Sequence, residues 1–345
     1  MPHRARPSFS PWLVLAALSS MLWVAGCGPA PRATEEERGG GGGTAGAEAV
    51  TPTGPPPSYL PEGHRVLARL DMARVRRSPV AADIESAMVA TTTWQSLAGG
   101  SGIRPVQDLD TMVIGADGVY ATRRVAVLRY VGTEAYVRER LLALSVARSL
   151  PLTWSEAEGF AVATLPVALP VPHSVVLTAQ HELVICPSDE VARIASVARD
   201  HAARRAAVSP DTIVEPQLTL AAGELATMMS SEAMQARAGY PAPPQSYRLH
   251  AMEDDASHQL FLYVHGEFAS EADAQAALDW SLANARQYAS EFLVRGAGLS
   301  RPLEALTGTR QGNVVDLQTN MTVEEVRRGL GAAALLQMMQ QRAQQ

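Results

Sequence analysis

From residue 63 onward the apolar positions alternate between a two-residue period and a helical one, and this lays out strands and helices in turn. Val66-Leu67-Ala68-Arg69-Leu70 reads as a first strand. Ser78-Pro79 opens a helix to about Leu97, with Ser as cap and Pro at the first helical position. Leu109 to Ala116 and Arg124 to Val131 are two strands joined across the turn dipeptide Asp117-Gly118. Thr133-Glu134 starts a helix whose Tyr136, Val137, Leu141, Leu144 and Ala147 share one face. Strands follow near 159–165 and 174–186, and Ser188-Asp189-Glu190 opens a helix to about Arg205.

The second half offers the same succession. Tyr247 to Ala251 and Gln259 to Phe268 are strands across Glu253-Asp254-Asp255. Ser270-Glu271-Ala272-Asp273 is a capping box heading a helix to about Phe292. A strand near 313–319 then leads to a second box, Thr322-Val323-Glu324-Glu325, heading the last helix. The turns at Asp117 and Asp254 stand 137 residues apart, as do the helix starts Thr133 and Ser270, while Ser188 and Thr322 stand 134 apart. Landmarks at nearly one offset suggest an internal duplication. The expected fold is α+β: two similar strand–helix–strand–strand–helix–strand units, mostly antiparallel sheet, with helices packed on one face. The units span 63–205 and 206–345 with a boundary near 206–216, and their sheets either join into one curved sheet or form two subdomains.

The first 62 residues break the pattern. Arg4 and Arg6 precede an apolar stretch from Trp12 to Ala25, too short for a spanning helix, which needs about 20 residues, and suited to an export signal. It ends in Val24-Ala25-Gly26-Cys27. This resembles the lipobox of bacterial lipoproteins. The resemblance implies cleavage of residues 1–26, lipidation of Cys27 and membrane attachment through that lipid. Gly28, where many inner-membrane lipoproteins carry Asp, favours the outer membrane. Residues 28–62, with five glycines at 39–43 and prolines at 55–57 and 61, read as a disordered tether spanning roughly 30–35 Å. With this anchor, the α+β part resembles exported lipoproteins of high-GC Gram-negative bacteria, myxobacteria among them.

Composition mainly excludes. All 29 basic residues are Arg, so a phosphate loop needing Lys, a Schiff-base enzyme and a Ser-x-x-Lys acyl enzyme are ruled out. A net charge of −6 gives no reason to expect nucleic acid. Lipidation of Cys27 leaves Cys186 without an intramolecular partner; at the end of Leu183-Val184-Ile185-Cys186 it reads as a buried thiol.

No catalytic motif emerges. Gly99-Gly100-Ser101-Gly102-Ile103 lacks the last glycine of a nucleophile elbow and reads as a loop. The histidines at 64, 173, 181, 201, 250, 258 and 265 show no metal-binding spacing. Asp108, Asp110 and Asp117, like Glu253-Asp254-Asp255, lack calcium-loop spacing and read as solvated turn acids, as Arg123-Arg124 and Arg204-Arg205 read as solvated faces. Val323 to Met339 is interrupted by Arg327 and Arg328, and reads as a core-packing helix with Met338-Met339 as an adaptable contact.

The expected function is that of a non-enzymatic envelope lipoprotein without cofactor or metal. It would bind an envelope protein or small ligand on its sheet face or between its repeats. A hydrolase assembled from distant residues and a structural spacer are the alternatives.

Overall fold

The computed structural model describes residues 58–60, 63–91, 94–95, 98–117, 123–165, 171–179, 181–207, 223–230 and 241–332. The export segment, Cys27, Gly118, the stretch 208–216 and Met338-Met339 lie outside the described residues.

The first half supplies β1 (Val66–Asp71), α1 (Met72–Arg77), α2 (Ala81–Ala90), α3 (Pro105–Asp108), β2 (Leu109–Ala116) and β3 (Arg124–Tyr130). These are followed by α4 (Glu134–Arg148), β4 (Trp154–Ala157), β5 (Phe160–Thr164), β6 (His173–Ala179), β7 (Glu182–Pro187) and α5 (Val191–Ala207). The second half supplies β8 (Glu224–Ser230), β9 (Ser246–Glu253), β10 (Leu260–Glu267), α6 (Glu271–Ala289), α7 (Phe292–Gly296) and α8 (Ser300–Glu304). β11 (Thr307–Gln311) and β12 (Val314–Met321) complete the sheet, and α9 covers 323–332. The halves do not form separate sheets: all the strands among the described residues join one antiparallel sheet, ordered β11-β12-β10-β9-β8-β1-β2-β3-β7-β6-β5-β4. The junction is β1 against β8, with Val66 opposite Ser230 and Leu70 opposite Ala226.

The helices divide between the two faces. Successive strand residues point to opposite sides. Val113, Val127, Val184 and Val176 pack with Ile194 and Ala198 of α5. Their neighbours Met112, Leu128, Leu183 and Leu177 pack with Val137, Leu141 and Leu144 of α4. The α4 face also receives α1, α2, the end of α6 and α9. The expectation of helices on one face therefore fails at α5. Both faces of β2, β3, β6 and β7 are apolar, and one layer of helices would leave the valine face in water.

Local chemistry sets the helix starts. Thr133 accepts from the Tyr136 N–H at 3.3 Å, and Ser270 from the Asp273 N–H at 3.1 Å. Thr322 and Glu325 cap each other: the Glu325 N–H donates to Thr322 Oγ1 at 3.3 Å and the Thr322 N–H to Glu325 Oε2 at 2.7 Å. Ser78 departs from expectation. Its N–H donates to the Val75 carbonyl and closes α1, a helix begun by Asp71, so α2 starts at Ala81.

The end of the expected tether is packed. Tyr59 and Leu60 are buried against the valine face, held by Arg193, whose Nη2 donates to the Tyr59 carbonyl at 2.8 Å. Gly115 makes room, since a Cβ there would stand 2.9 Å from Leu60 Cδ2. An aromatic and a leucine following a proline run bury apolar surface that the preceding glycines cannot.

Candidate functional site

Space remains only loosely filled on the α4 face. A cavity of about 60 Å³ lies between the halves, walled by Val75, Val80 and Ile84 from one and by Leu225, Leu260, Val326 and Leu330 from the other. A second, of about 110 Å³, lies within the first half under Trp94, Val137 and Leu141. Leu70 and Met88 belong to the walls of both. Both volumes lie below the roughly 150 Å³ of an apolar cavity that takes benzene, so the space suits guests of only a few heavy atoms.

The polar groups around the second cavity are occupied locally. Tyr136 donates its hydroxyl to Asp108 Oδ2 at 2.9 Å, and the Arg104 N–H reaches the same oxygen at 2.7 Å. Thr91 Oγ1 donates to the Met88 carbonyl at 2.7 Å, and Ser101 Oγ to the Ala98 carbonyl at 2.6 Å. Ser101 is thereby spent on a buried turn, with no base presented to it. Tyr130 is pushed up to about 12, first by burial and then by the charge of Glu134.

The cavity between the halves has a different rim. Its polar side chains are Ser78, Glu253 and His258. Glu253 ends β9 on the same face as Leu249 and Ala251, and is buried. The chain then turns: Asp254 accepts from Ser257 N–H at 2.8 Å and Oγ at 2.6 Å, which hold its carboxyl below the usual carboxylate range. The His258 N–H returns to the Asp254 carbonyl at 2.8 Å. This puts His258 in the left-handed region, φ 55°, with Nδ1 donating to Glu253 Oε1 at 3.0 Å. From the other half, Arg74 Nη2 donates to the Glu253 carbonyl at 2.9 Å and Asp255 Oδ1 at 2.6 Å. Its Nε is buried with no hydrogen-bond partner among the described residues.

The valine face carries a buried polar cluster instead of a cavity. Glu182 Oε1 receives Tyr59 Oη at 3.1 Å, Thr178 Oγ1 at 2.9 Å and Arg205 Nη2 at 3.1 Å. The His201 ring stands edge-on to Tyr59, 4.7 Å between centroids. Burial, then the Glu182 charge, raises the Tyr59 pKa far above its ordinary value, which removes it as a base. Arg205, expected on a solvated face, is thus a counter-ion to a buried carboxylate; the opening of β7 on an acid gave no sign of this cluster.

The remaining sequence candidates are dispersed. His250 pairs with Glu224 at 2.5 Å and His265 with Asp316 at 2.8 Å, while His181 meets the Gly132 carbonyl at 2.9 Å. Asp110 faces Arg76 at 3.4 Å, and Arg123 faces Asp189 at 2.9 Å. Among the described residues no group of three or more His, Cys, Asp and Glu side chains could hold a metal ion. Cys186 is fully buried, and burial pushes its thiol up to about 12. Cys27 lies outside the described residues. The sequence offered Glu253 as a turn acid and His258 as one of seven histidines without metal-binding spacing; only the left-handed turn brings them together.

No family model matches the chain, and no curated protein matches it. Among solved structures, crystal form I of TP0453 overlaps 79% of this chain and 94% of its own, with a TM-score of 0.38 and 10% identity.

Proposed function

We propose that the chain is an envelope lipoprotein, anchored in the outer membrane through Cys27, whose domain binds a small apolar ligand without catalysing a reaction on it. The observation that carries the ligand reading is the pair of apolar cavities sharing Leu70 and Met88 as a common wall. They lie in an otherwise close-packed interior, where voids larger than a water molecule are few. A duplicated origin fits this placement. Outward from the β1–β8 junction the order β1-β2-β3-β7-β6 is mirrored by β8-β9-β10-β12-β11, and the smaller cavity lies where the two units meet.

Two measurements test the reading. Palmitate labelling should mark the mature chain and vanish in Cys27→Ser; labelling that persists removes the anchor. Xenon under pressure should raise the unfolding temperature of the chain by a degree or more, as any ligand that binds only the folded state does. Ala126→Phe, which fills the larger cavity from β3, should shrink that shift. An unchanged melting temperature under xenon would sink the ligand reading.

A further inference from the structure

We propose that an open cleft where β5 parts from β6 takes the end of an extended, positively charged peptide as an added strand. The site shares no wall with the two apolar cavities and does not depend on them.

The cleft arises from a ladder that stops early. β5 and β6 are paired only from Val162 opposite Val176 to Thr164 opposite Ser174. Among the described residues, Phe160 and Ala161 have no partner on β6, and Leu177 to Ala179 have none on β5. Yet β5 stays paired with β4 as far as Ala157 opposite Phe160, and β6 with β7 as far as Ala179 opposite Glu182. Each strand thus keeps its outer neighbour and ends unpaired on the side the two share. The open space there, about 650 Å³, is bordered by Phe160 and Ala161 on one side and by Leu177, Thr178 and Ala179 on the other.

Contacts on both faces hold the β4–β5 hairpin in place. Its tip turns tightly at Glu158 and Gly159, both left-handed, and Glu158 pairs with Arg199 of α5. Phe160 packs into the valine-face cluster, while on the other face the Arg138 guanidinium of α4 lies 4.1 Å from the centre of the Trp154 ring. Backbone N–H and C=O groups at an open strand edge need partners, and an extended peptide supplies both at strand spacing. Charge then chooses the peptide. Glu134 and Glu156 line the cleft against Arg138 alone, whose Nη2 already lies 2.7 Å from Glu134 Oε1. Glu156 is exposed and has no ion pair among the described residues. A basic side chain neutralises that carboxylate, whereas an acidic peptide meets like charge.

The test follows the fluorescence anisotropy of a labelled peptide, Thr-Val-Arg-Val-Thr amide, titrated with the full chain. It should bind saturably, with a Kd below about 1 mM. Alternate residues of an added strand point their N–H groups toward the sheet and toward water. N-methylating one alternate set should therefore weaken binding about tenfold or more, as expected for the loss of two backbone hydrogen bonds, and the other set should be tolerated. Exchanging the central Arg of the peptide for Glu should weaken binding about two- to fivefold, and Glu156→Arg, at an exposed position, should reverse that ranking. Absence of saturable binding by the Arg peptide overturns the proposal. So does equal tolerance of both N-methylated sets, which would show that the peptide is not held as a strand. An unchanged ranking of the Arg and Glu peptides in Glu156→Arg overturns it as well, because the peptide would then sit elsewhere.

Discussion

Two neighbouring rows of side chains cross the same strands and are packed differently. Val113, Val127, Val184, Val176 and Val162 stand opposite one another on β2, β3, β7, β6 and β5. One residue along, Leu70, Met112, Leu128 and Leu183 form the matching row on β1, β2, β3 and β7, facing the other way. The valine row is closed by α5, Tyr59 and Leu60. The leucine–methionine row is covered by α4 and the segments before β2, and borders the larger cavity. Valine has one dominant rotamer and presents an even surface, while leucine and methionine leave irregular space that a guest or a rotamer change can fill. One face therefore holds the fold and the other can afford vacancy.

That contrast can be broken most forcefully at Tyr59. Tyr59→Ala removes a fully buried ring and unties Glu182, and should cost about 3–5 kcal/mol in urea unfolding. Tyr59→Phe should cost only about 1–2 kcal/mol, isolating the hydrogen bond. A loss below 1 kcal/mol for Tyr59→Ala would mean that the valine face does not depend on its closure. Enlarging one alanine on each face should then give opposite signs. Ala198→Leu, fully buried on α5, should destabilise by about 1–3 kcal/mol. Ala126→Val, on the cavity wall, should stabilise by about 0.5–1 kcal/mol. Equal losses would erase the distinction between the faces.

Cys186 reports on the sealed face without perturbing it. With its thiol pushed up to about 12 and no exposure, it should react with a thiol reagent at pH 8 only as fast as the domain opens. Rapid labelling of the folded chain would show that α5 does not close this face. The smallest effect is a pH slope. Burial lowers the His173 pKa below its ordinary 6.5, so the neutral ring is favoured in the fold. The stability tied to it is full above about pH 6.5 and is lost as the pH falls through that value toward the lower folded one. His173→Gln should flatten the dependence of the urea midpoint between pH 7.5 and 5.

Strands and caps were legible because they depend on neighbours in sequence. Leu109 to Ala116 matches β2, and Thr133, Ser270 and Thr322 cap the helices they were assigned. β4, β8 and β11 were missed. β11 is short and polar, and β8 carries an apolar core, Leu225 to Met229, whose strand character depends on pairing with β1 and β9. Both cavities were beyond reach, since they are differences between surfaces far apart in sequence. The Glu253–His258 rim was missed for a smaller reason. Nothing in Glu253-Asp254-Asp255 announces a left-handed histidine at 258, and without it the acid reads as a solvated turn.

The position of β1 has a mechanical side. The chain enters the sheet at its middle, where β1 is hydrogen-bonded to β2 on one edge and β8 on the other. Just upstream, Arg193 grips the Ser58 and Tyr59 carbonyls. A pull arriving from the N-terminal side loads that grip first, and then must shear β1 from two partners at once instead of peeling an edge strand away. Resistance to force is set by the rate of unfolding and not by its equilibrium. The same central entry that joins the two halves would let a leash at the N-terminus haul on the domain without unzipping it.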